Sequence, residues 1–340
     1  MTNKNPAVSV IIPMYNAEKF IEPCLNSLLH QTFDDFEVLV ADDCSTDQSP
    51  TIVKSFVEKF GGRLIPIKTK KNSGAAGFPR NLALKSARGK YITYLDADDL
   101  LTKTAIEELF DAAEQFDAEV VHVERYYEMP DGADQIFVRT LQTPPLVDTP
   151  TLETDDIGDR IERFTQKKFL WWACNKFFRR DFLIKHKIEF PRVNMFEDLC
   201  FFIQALVHSK NYVRIPNVIY IYRIRPDSLS HDPPHPFDIT RNMIDVFRVL
   251  DKFLSSQDFF LRNRRYRYML LDFFVRQRVG LVSKNIYAQS DAAEIDEYLR
   301  RNVFNVRPEE NIALTSHLFD LVNVLYLENE RLRKEKIYGK

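Results

Sequence analysis

The chain has 340 residues, of which 45% are hydrophobic and 28% are charged. This composition can bury a substantial core, which excludes a wholly disordered protein, and the length predicts one sizeable domain with an appendage. The formal net charge of −2 lacks the basic excess typical of nucleic-acid-binding proteins, so we expect no nucleic-acid partner.

Glycine and cysteine spacing argues against several common sites. None of the nine glycines forms a G-x-G-x-x-G or G-x-x-x-x-G-K-[ST] run, which disfavours Rossmann dinucleotide binding and P-loop chemistry. The four cysteines (Cys24, Cys44, Cys174 and Cys200) form no C-x-x-C pair, so we expect free thiols in a reducing cytoplasm. No stretch approaches the roughly 20 apolar residues that span a bilayer. We therefore expect a cytoplasmic protein whose membrane contact, if any, is peripheral and on the inner face.

The first 125 residues alternate short apolar runs with helical patterns. Five runs predict strands, at 8–12, 37–42, 63–68, 91–95 and 119–123. Between them lie apolar residues at helical spacing, with Ser49 expected to cap the second helix and Thr102 the helix that ends near Phe116. This alternation predicts an α/β protein whose parallel sheet carries helices on both faces. Ligands of such sheets bind at the carboxyl ends of the strands.

The second half is less regular. Residues 129–156 are rich in Pro, Thr and Asp and predict a long excursion, whereas 197–209 predicts a helix and 217–223 a strand. The proline-rich run 231–236 is compatible with neither. We therefore predict two domains, residues 1–231 and an almost wholly helical region, residues 237–340.

Three carboxylates follow the predicted strand at 91–95, in the run Asp96-Ala97-Asp98-Asp99. Like charges this close destabilise one another unless a cation offsets them, and hard carboxylate oxygens suit Mg²⁺ or Mn²⁺. The alternative is a solvated acidic loop in which Asp99 caps the next helix. The position directly after a buried strand favours the metal site.

Two more clusters follow the first two strands. The carboxylate of Asp43 can accept hydrogen bonds from a nucleobase, while the polar residues 45–47 are sufficient for an Asx turn and a helix cap. Tyr15, shortly after Pro13, can stack on a base, although ordinary packing is the stronger interpretation of this residue alone.

Charged residues later in the chain form three further candidates. Arg80 at a helix start is either a diphosphate clamp or a surface arginine. Glu197 and Asp198 begin a helix, where a carboxylate is either a general base or a favourable partner of the helix dipole. The arginines, serines and histidine of residues 222–231 can grip a phosphate or complete a metal shell.

Taken together, these clusters resemble the family 2 glycosyltransferases, which have the glycosyltransferase A fold. The similarity covers residues 8 to about 231. The motifs that carry it are VSVIIPMYN (8–16), SLLHQTFDDFEVLVADDCSTD (27–47), NSGAAGFPRNLAL (72–84), ARGKYITYLDADD (87–99), FED (196–198) and YRIRPDSLSH (222–231). One departure is Cys44, where the family usually has glycine or another small residue. We expect a turn to tolerate it.

The resemblance implies a role for each matching residue. Nucleotide-sugar binding is implied for Pro13, Tyr15, Asp43, Asn72, Arg80, Asp96, Ala97, Arg125, Arg225 and Ser230. The implied metal ligands, for Mn²⁺ or Mg²⁺, are Asp98, Asp96 and His231, with Asp98 the more direct one. Asp198 is the implied catalytic base, with Glu197 beside it.

The implied activity is that of an inverting, metal-dependent hexosyl- or N-acetylhexosaminyltransferase. Its donor is a nucleotide sugar, with UDP-sugars favoured, and its acceptor is a hydroxyl of a glycan, a polysaccharide or a teichoic-acid-like polymer, with a lipid-linked acceptor as one option. Two alternatives stay open. A nucleotidyltransferase is disfavoured because no glycine-rich loop follows the first strand. An inactive carbohydrate-binding or scaffold protein is disfavoured because Asp96, Asp98 and Asp198 are all present.

The predicted helical region has two features of its own. Residues 241–278 hold nine basic residues against four acidic ones, which predicts either a solvated basic face, the favoured interpretation, or contact with anionic lipid or polymer. Leucines between 314 and 332 follow a short heptad-like spacing, which predicts either packing within the region or, slightly preferred, a homodimer.

Overall fold

The computed structural model describes residues 5–130, 136–140, 146–225 and 236–282. The chain divides into two units, Met1–Ser228 and Leu229–Lys340, and each unit is described by itself. The domain bounds expected from the sequence, with a break between residues 231 and 237, stay a prediction.

The first unit is an α/β structure. Its strands are β1 (Val8–Met14), β2 (Phe36–Asp42), β3 (Leu64–Lys68), β4 (Tyr91–Tyr94), β5 (Leu100–Leu101), β6 (Val120–Pro130), β7 (Phe137–Arg139), β8 (Thr151–Leu152), β9 (Lys176–Arg179) and β10 (Tyr212–Ile224). Its helices are α1 (Ile21–Leu29), α2 (Ser49–Lys59), α3 (Gly77–Ser86), α4 (Ala105–Gln115), α5 (Ile157–Thr165), α6 (Arg180–His186) and α7 (Glu197–His208).

The strands form one mixed sheet. Its order is β3-β2-β1-β4-β9-β6-β10-β5, with β7 paired to β6 and β8 to β10. β1 is parallel to β2 and β4, and β6 is parallel to β10. The strands predicted from the sequence, β1, β2, β3, β4, β6 and β10, all run in the same direction, but the sheet is mixed because the unpredicted β9 lies antiparallel between β4 and β6. β5, β7 and β8 are antiparallel to their partners as well.

The core lies around the central strands. β1 and β2 are buried at every position, as continuous apolar runs predict for strands covered on both faces. α1 packs through Ile21, Cys24, Leu25 and Leu28, whose spacing places them on one face. β3 ends the sheet order, and its burial alternates, so Pro66 occupies an edge strand that tolerates a missing N–H donor.

Two predicted helix starts differ from the observed ones. The N-cap residue of α2 is Gln48, and the backbone N–H of Ser49 donates to Oδ1 of Asp47 at 3.0 Å. The N-cap residue of α4 is Thr104 rather than Thr102. Neighbouring polar side chains compete for the same N–H groups, so a sequence locates a helix start only to within a few residues.

Several strands are absent from the sequence prediction or longer than it. β7 and β8 lie in the excursion at 129–156, and β9 lies in the aromatic stretch at 169–178. β6 and β10 extend beyond the predicted runs because they pair with each other from Tyr212 to Ile224, with two register shifts. Pairing of distant segments lengthens a strand in a way that local composition does not indicate.

The described part of the second unit is helical, as the sequence predicts. It contains α8 (Pro236–Ser255), α9 (Asp258–Arg262) and α10 (Arg264–Val282). The guanidinium of Arg267 on α10 donates to both carboxylate oxygens of Asp251 on α8, at 2.7 and 2.9 Å. The leucines at 314–332 lie outside the described residues. None of the helices in the described ranges is long and apolar enough to cross a bilayer.

Candidate active site

Three parallel strands, β1, β2 and β4, end at one edge of the sheet, which follows from the pairing of β1 with both neighbours. Pro13, near the end of β1, belongs to a buried stretch, whereas Tyr15 directly after the strand is 51% exposed. Asp43 follows β2 and Asp96 follows β4 at the same edge. The structure therefore brings three of the predicted clusters together.

Asp43 is buried and holds the segment that follows β3. Its Oδ1 accepts from the Thr69 hydroxyl at 2.9 Å, and its Oδ2 accepts from the backbone N–H and the hydroxyl of Ser73 at 2.8 and 2.7 Å. Asn72 donates to the backbone oxygen of Asp43 at 3.2 Å and accepts from the N–H of Gly74 at 2.8 Å. Asp43 and Asn72 thus form one network, and a role in nucleoside binding stays a prediction for both.

The turn after β2 explains the unusual cysteine. Cys44 has a φ of +65°, in the left-handed region that favours glycine. The N–H of Ser45 donates to Oδ1 of Asp42 at 2.8 Å, which closes an Asx-type turn. The Cys44 thiol donates to the backbone oxygen of Thr69 at 3.3 Å, so this side chain also links the turn to the segment after β3.

The acidic cluster after β4 is matched by arginines. The Asp96 carboxylate, 34% exposed, accepts from Arg80 at 2.6 Å, and Asp98 forms an ion pair with Arg225. Asp99 is buried and accepts from the Tyr220 hydroxyl at 2.6 Å and the backbone N–H of Arg223 at 2.8 Å. Asp99 therefore binds β10, and the idea that it caps the next helix is wrong.

The electrostatics of this cluster are those of crowded, partly buried carboxylates. Burial raises the pKa of Asp98, and the neighbouring charge of Asp96 raises it further. Burial and the charges of Asp98 and Asp96 raise the pKa of Asp99 well above its usual range. Burial opposes the charged form of Arg80, but the carboxylates of Asp96 and Glu197 outweigh it and raise its pKa. The site therefore favours additional positive charge beside Asp98.

The start of α7 brings the other acidic pair to the same place. Phe196, with a φ of +62°, turns the chain into the helix, and the Asp198 carboxylate accepts from the N–H of Leu199 at 2.8 Å. Oε1 of Glu197 lies 3.4 Å from Nη1 of Arg80, the arginine that also binds Asp96. One guanidinium thus links α7 to the end of β4.

Glu197 has a strongly perturbed acidity. Burial and the adjacent charge of Asp198 raise the pKa of Glu197 to about 7, against the opposing effect of Arg80. The close approach of α3 accounts for part of this burial. A Cβ on Gly77, the first residue of α3, would lie 2.9 Å from Cβ of Phe190 and 3.0 Å from Cγ of Glu197. Only glycine fits at Gly77 without a shift of its neighbours.

The carboxylates suit a divalent cation on chemical grounds. In the described ranges, no three His, Cys, Asp or Glu side chains converge as a complete metal cage. Mg²⁺ and Mn²⁺ do not require one, since they bind through one or two carboxylates with water and substrate phosphates as the remaining ligands. Asp96 and Asp98 form such a pair. An additional cation would lower the raised pKa of Asp98 and so stabilise its charged form.

The remaining predicted residues have different outcomes. Ala97 is buried between the two aspartates, and Arg125 lies half-buried on β6 opposite Val218 of β10. Arg225 pairs with Asp98, as described above. Ser230 and His231 lie outside the described residues, and their assigned roles stay predictions.

Four residues at this edge had no individual role assigned from the sequence, although Arg223 belongs to the predicted cluster at residues 222–231. The backbone N–H of Arg223 donates to the Asp99 carboxylate, and its side chain donates to the backbone oxygen of Asp98. Arg223 lies on β10 two residues before Arg225, and this spacing was the available signal. Tyr220 and Cys174 lie beside Asp99. Lys176 is a lone charge in an apolar aromatic run, which is itself a signal that the side chain is buried with partners.

Comparison with known proteins defines the class. The model of "Glycosyl transferase family 2" matches residues 9–187, which is more than half of the chain. This chain therefore belongs to glycosyltransferase family 2.

Three curated relatives are similar to it. The glycosyltransferase EpsJ of Bacillus subtilis is 29% identical over 232 residues, 68% of this chain and 65% of EpsJ. The poly(ribitol-phosphate) beta-N-acetylglucosaminyltransferase TarS of Staphylococcus aureus is 45% identical over 102 residues, 29% of this chain and 18% of TarS. The poly(ribitol-phosphate) beta-glucosyltransferase of Bacillus spizizenii is 26% identical over 339 residues, 96% of this chain and 49% of the relative. The chain spans less than two thirds of each.

A solved structure has the same fold. Residues 1–349 of S. aureus TarS in complex with UDP-GlcNAc superpose with a TM-score of 0.71 at 23% identity, covering 96% of this chain and 91% of that one. The predicted fold class, a glycosyltransferase A type sheet with helices and a helical region after it, is confirmed at this level.

Proposed function

We propose that this protein is an inverting, metal-dependent glycosyltransferase that moves a hexose or N-acetylhexosamine from a UDP-sugar to a hydroxyl of a polyol-phosphate wall polymer. The observation that supports this most is the single guanidinium of Arg80, which contacts Asp96 after β4 and Glu197 at the start of α7. A donor-side acidic pair and a candidate base are thereby held beside one another in a chain of this family.

The donor side consists of Tyr15, the network of Asp43 and Asn72, and Arg80. Tyr15 is exposed enough to stack on a base. The positive guanidinium of Arg80 lies beside Asp96, where the donor diphosphate is proposed to bind. TarS was solved with UDP-GlcNAc, which supports a uridine diphosphate donor by analogy. Family membership supports a sugar as the transferred group.

The reaction is a single displacement at the anomeric carbon. Asp198 takes the proton of the acceptor hydroxyl as the oxygen attacks, and the bond to the diphosphate breaks on the opposite face, which inverts the configuration. Glu197 beside it exchanges its proton near neutral pH and pairs with Arg80 when charged. Arg80 and Arg225 balance the charges of Asp96 and Asp98 before a donor arrives.

Asp96 and Asp98 would hold Mn²⁺ or Mg²⁺ together with the donor phosphates. When bound, such a cation offsets the negative charge that develops on the leaving diphosphate. Asp98, whose pKa is raised by burial and by Asp96, is the residue that gains most from the added charge. Arg225, which now pairs with Asp98, is then available to the diphosphate.

Two relatives support the acceptor class. The printed names of the S. aureus and B. spizizenii relatives both specify poly(ribitol phosphate), while their transferred sugars differ. The proposed acceptor is therefore a polymer of this chemical type. A direct assay that compares UDP-GlcNAc with UDP-glucose as donor would identify the transferred sugar.

The test is transfer to poly(ribitol phosphate) by the purified full chain, with Mn²⁺ or EDTA, comparing Asp198→Asn with Asp181→Asn as an exposed control. We expect wild-type protein and the control to form β-linked product. We expect Asp198→Asn to bind UDP-sugar normally but to lose roughly 10²–10⁴-fold in transfer rate. Normal turnover by Asp198→Asn would remove the base assignment.

Other outcomes point to the alternatives. Transfer of the uridylyl group to the acceptor, with release of a sugar 1-phosphate instead of UDP, would indicate a nucleotidyltransferase. Polymer binding with neither transfer nor donor hydrolysis would indicate an inactive binding protein. Equal donor affinity in EDTA, and after Asp96 and Asp98 are both changed to alanine, would contradict the metal site.

A further inference from the structure

Lys176, the first residue of β9, is a buried cation that the proposed reaction does not use. It is 1% exposed, and its ammonium donates to the backbone oxygens of Leu170 and Trp172 at 2.6 and 2.7 Å and to Oδ1 of Asn175 at 2.8 Å. An ammonium has three N–H donors, and all three are used here. A group so costly to bury is expected to fix whatever its protons bind.

The group it fixes is the loop at 170–175, which the sheet places at the ligand edge. Because β9 is antiparallel to β4, its beginning lies near the end of β4, while it pairs with the first residues of β6, where Lys176 is opposite His122. The loop is tied to both neighbours: Asn175 donates to the backbone oxygen of Val123 at 2.8 Å, and the Thr93 hydroxyl donates to that of Lys176 at 3.2 Å.

The loop borders the acidic cluster. Cys174 lies near Tyr220, whose hydroxyl donates to Asp99 at 2.6 Å. Below the loop, the Lys176 ammonium lies 4.6 Å from the centroid of the Phe202 ring. Phe202 is four residues after Asp198, on the same face of α7. The loop therefore lies beside the candidate base.

The loop also presents an aromatic side chain. The Trp172 ring is half-buried and lies 5.1 Å from the ring of Tyr126 on β6 and 6.0 Å from that of Tyr222 on β10. We call these three residues the aromatic cluster. Aromatic faces bind the C–H faces of sugars and polyols.

The two halves of the edge thus differ. Tyr15, Asp43, Asn72 and Asp96 follow β1, β2, β3 and β4, and two further donor candidates, Arg125 and Arg225, lie on β6 and directly after β10. The aromatic cluster lies on β6, β10 and the loop before β9.

We propose that Lys176 is a positioning residue that fixes the loop at 170–175 so that Trp172 forms the acceptor subsite, where a ribitol or sugar unit of the polymer packs on its ring. This rests on the proposed function, because it assigns the acceptor side of the same site.

The kinetic test compares Lys176→Met and Trp172→Ala with Trp171→Ala, a matched control in the same loop whose ring faces Phe164 of α5. With poly(ribitol phosphate) as acceptor, we expect both site variants to raise the acceptor KM at least tenfold and to leave UDP-sugar affinity and donor hydrolysis within about twofold. We expect the double variant to be little worse than either one, since both act through one contact.

A second measurement does not need turnover. Hydrogen exchange of the amides at 170–175 is expected to increase in Lys176→Met and to stay near wild type in Trp171→Ala. An acceptor KM near that of wild type in both site variants, or unchanged exchange in Lys176→Met, would overturn the inference. Absence of donor hydrolysis in the wild type would instead overturn the proposed function. The exchange result would still test whether Lys176 fixes the loop at 170–175.

Discussion

At the scale of single residues, the site is a set of charges that compensate one another. Asp96, Asp98 and Glu197 would repel in isolation, and Arg80 and Arg225 lie between them. From the sequence alone, we expect a bound cation to provide this compensation. The structure corrects that expectation, because two arginines already pair with these carboxylates, and the proposed divalent ion would add to a site whose charges are partly balanced.

The acidity of Glu197 leads to a pH prediction. Its pKa of about 7 lies above the usual value of 4.5, so the folded protein keeps a proton that the unfolded chain releases between these values. The free energy of unfolding should therefore fall as pH rises from about 4.5 to 7. We expect this fall to be smaller by about 1–3 kcal/mol in Glu197→Gln. Urea unfolding at pH 5 and pH 7.5 measures it, and an unchanged pH dependence in the variant would contradict the assignment.

Gly77 gives a steric prediction. In most helices Gly→Ala stabilises by about 1 kcal/mol, but here the added methyl group would press on Phe190 and Glu197. We expect Gly77→Ala to destabilise the fold by about 1–3 kcal/mol and to weaken UDP-sugar turnover. Ser86→Ala, at the exposed end of the same helix, is the control and should be near neutral. Stabilisation by Gly77→Ala would show that the two neighbours move without cost.

At the scale of secondary-structure elements, a buried ion network joins β6, β10 and α5. Arg214 on β10 pairs with Glu124 on β6 and lies 3.0 Å from Glu153, which also pairs with Arg163 of α5 at 2.6 Å. The side chains of Arg214, Glu124 and Glu153 are almost fully buried. Removing one member therefore leaves uncompensated charge in the interior.

We expect Arg214→Met to destabilise the protein by about 3–5 kcal/mol. The control is Arg139→Met, which removes the exposed ion pair with Glu128 and should cost about 0–1 kcal/mol. Adding Glu124→Gln and Glu153→Gln to Arg214→Met should restore much of the loss, because no buried charge is then left unpaired. Chemical unfolding of the four proteins measures this, and equal values for Arg214→Met and Arg139→Met would refute the network.

Some strands were predictable from the local sequence and others were not. β1, β2 and β4 are continuous apolar runs, and their identity was evident from local sequence. β9 was not, because four residues of an aromatic stretch have no periodicity that distinguishes a strand from packed loop. Its antiparallel direction is set by where the chain re-enters the sheet. The loop at 170–175 reaches the site through that direction, and so Lys176 and Cys174 were missed.

At the scale of the whole molecule, the sequence predicts a role for the last helices that the described residues do not test. The leucines at 314–332 favour a homodimer slightly over packing within the region. We expect truncation after Pro308 to halve the mass measured by light scattering while donor hydrolysis persists. An unchanged mass would favour packing within the region. A full-length variant with the four leucines from 314 to 325 changed to alanine is the matched control, because it removes the leucine contacts and keeps the segment.

The sequence by itself determined the family, the central strands and the acidic, basic and aromatic residues at their carboxyl ends, because these depend on local composition and on the rule that parallel strands end at one edge. Only the tertiary structure decided which charges meet. Arg80 reaches Asp96 and Glu197 across 16 and 117 positions of the chain, and Tyr220 reaches Asp99 across 121. Such contacts arise when distant elements pack together, and spacing along one chain does not encode which buried carboxylate a given arginine or hydroxyl will satisfy.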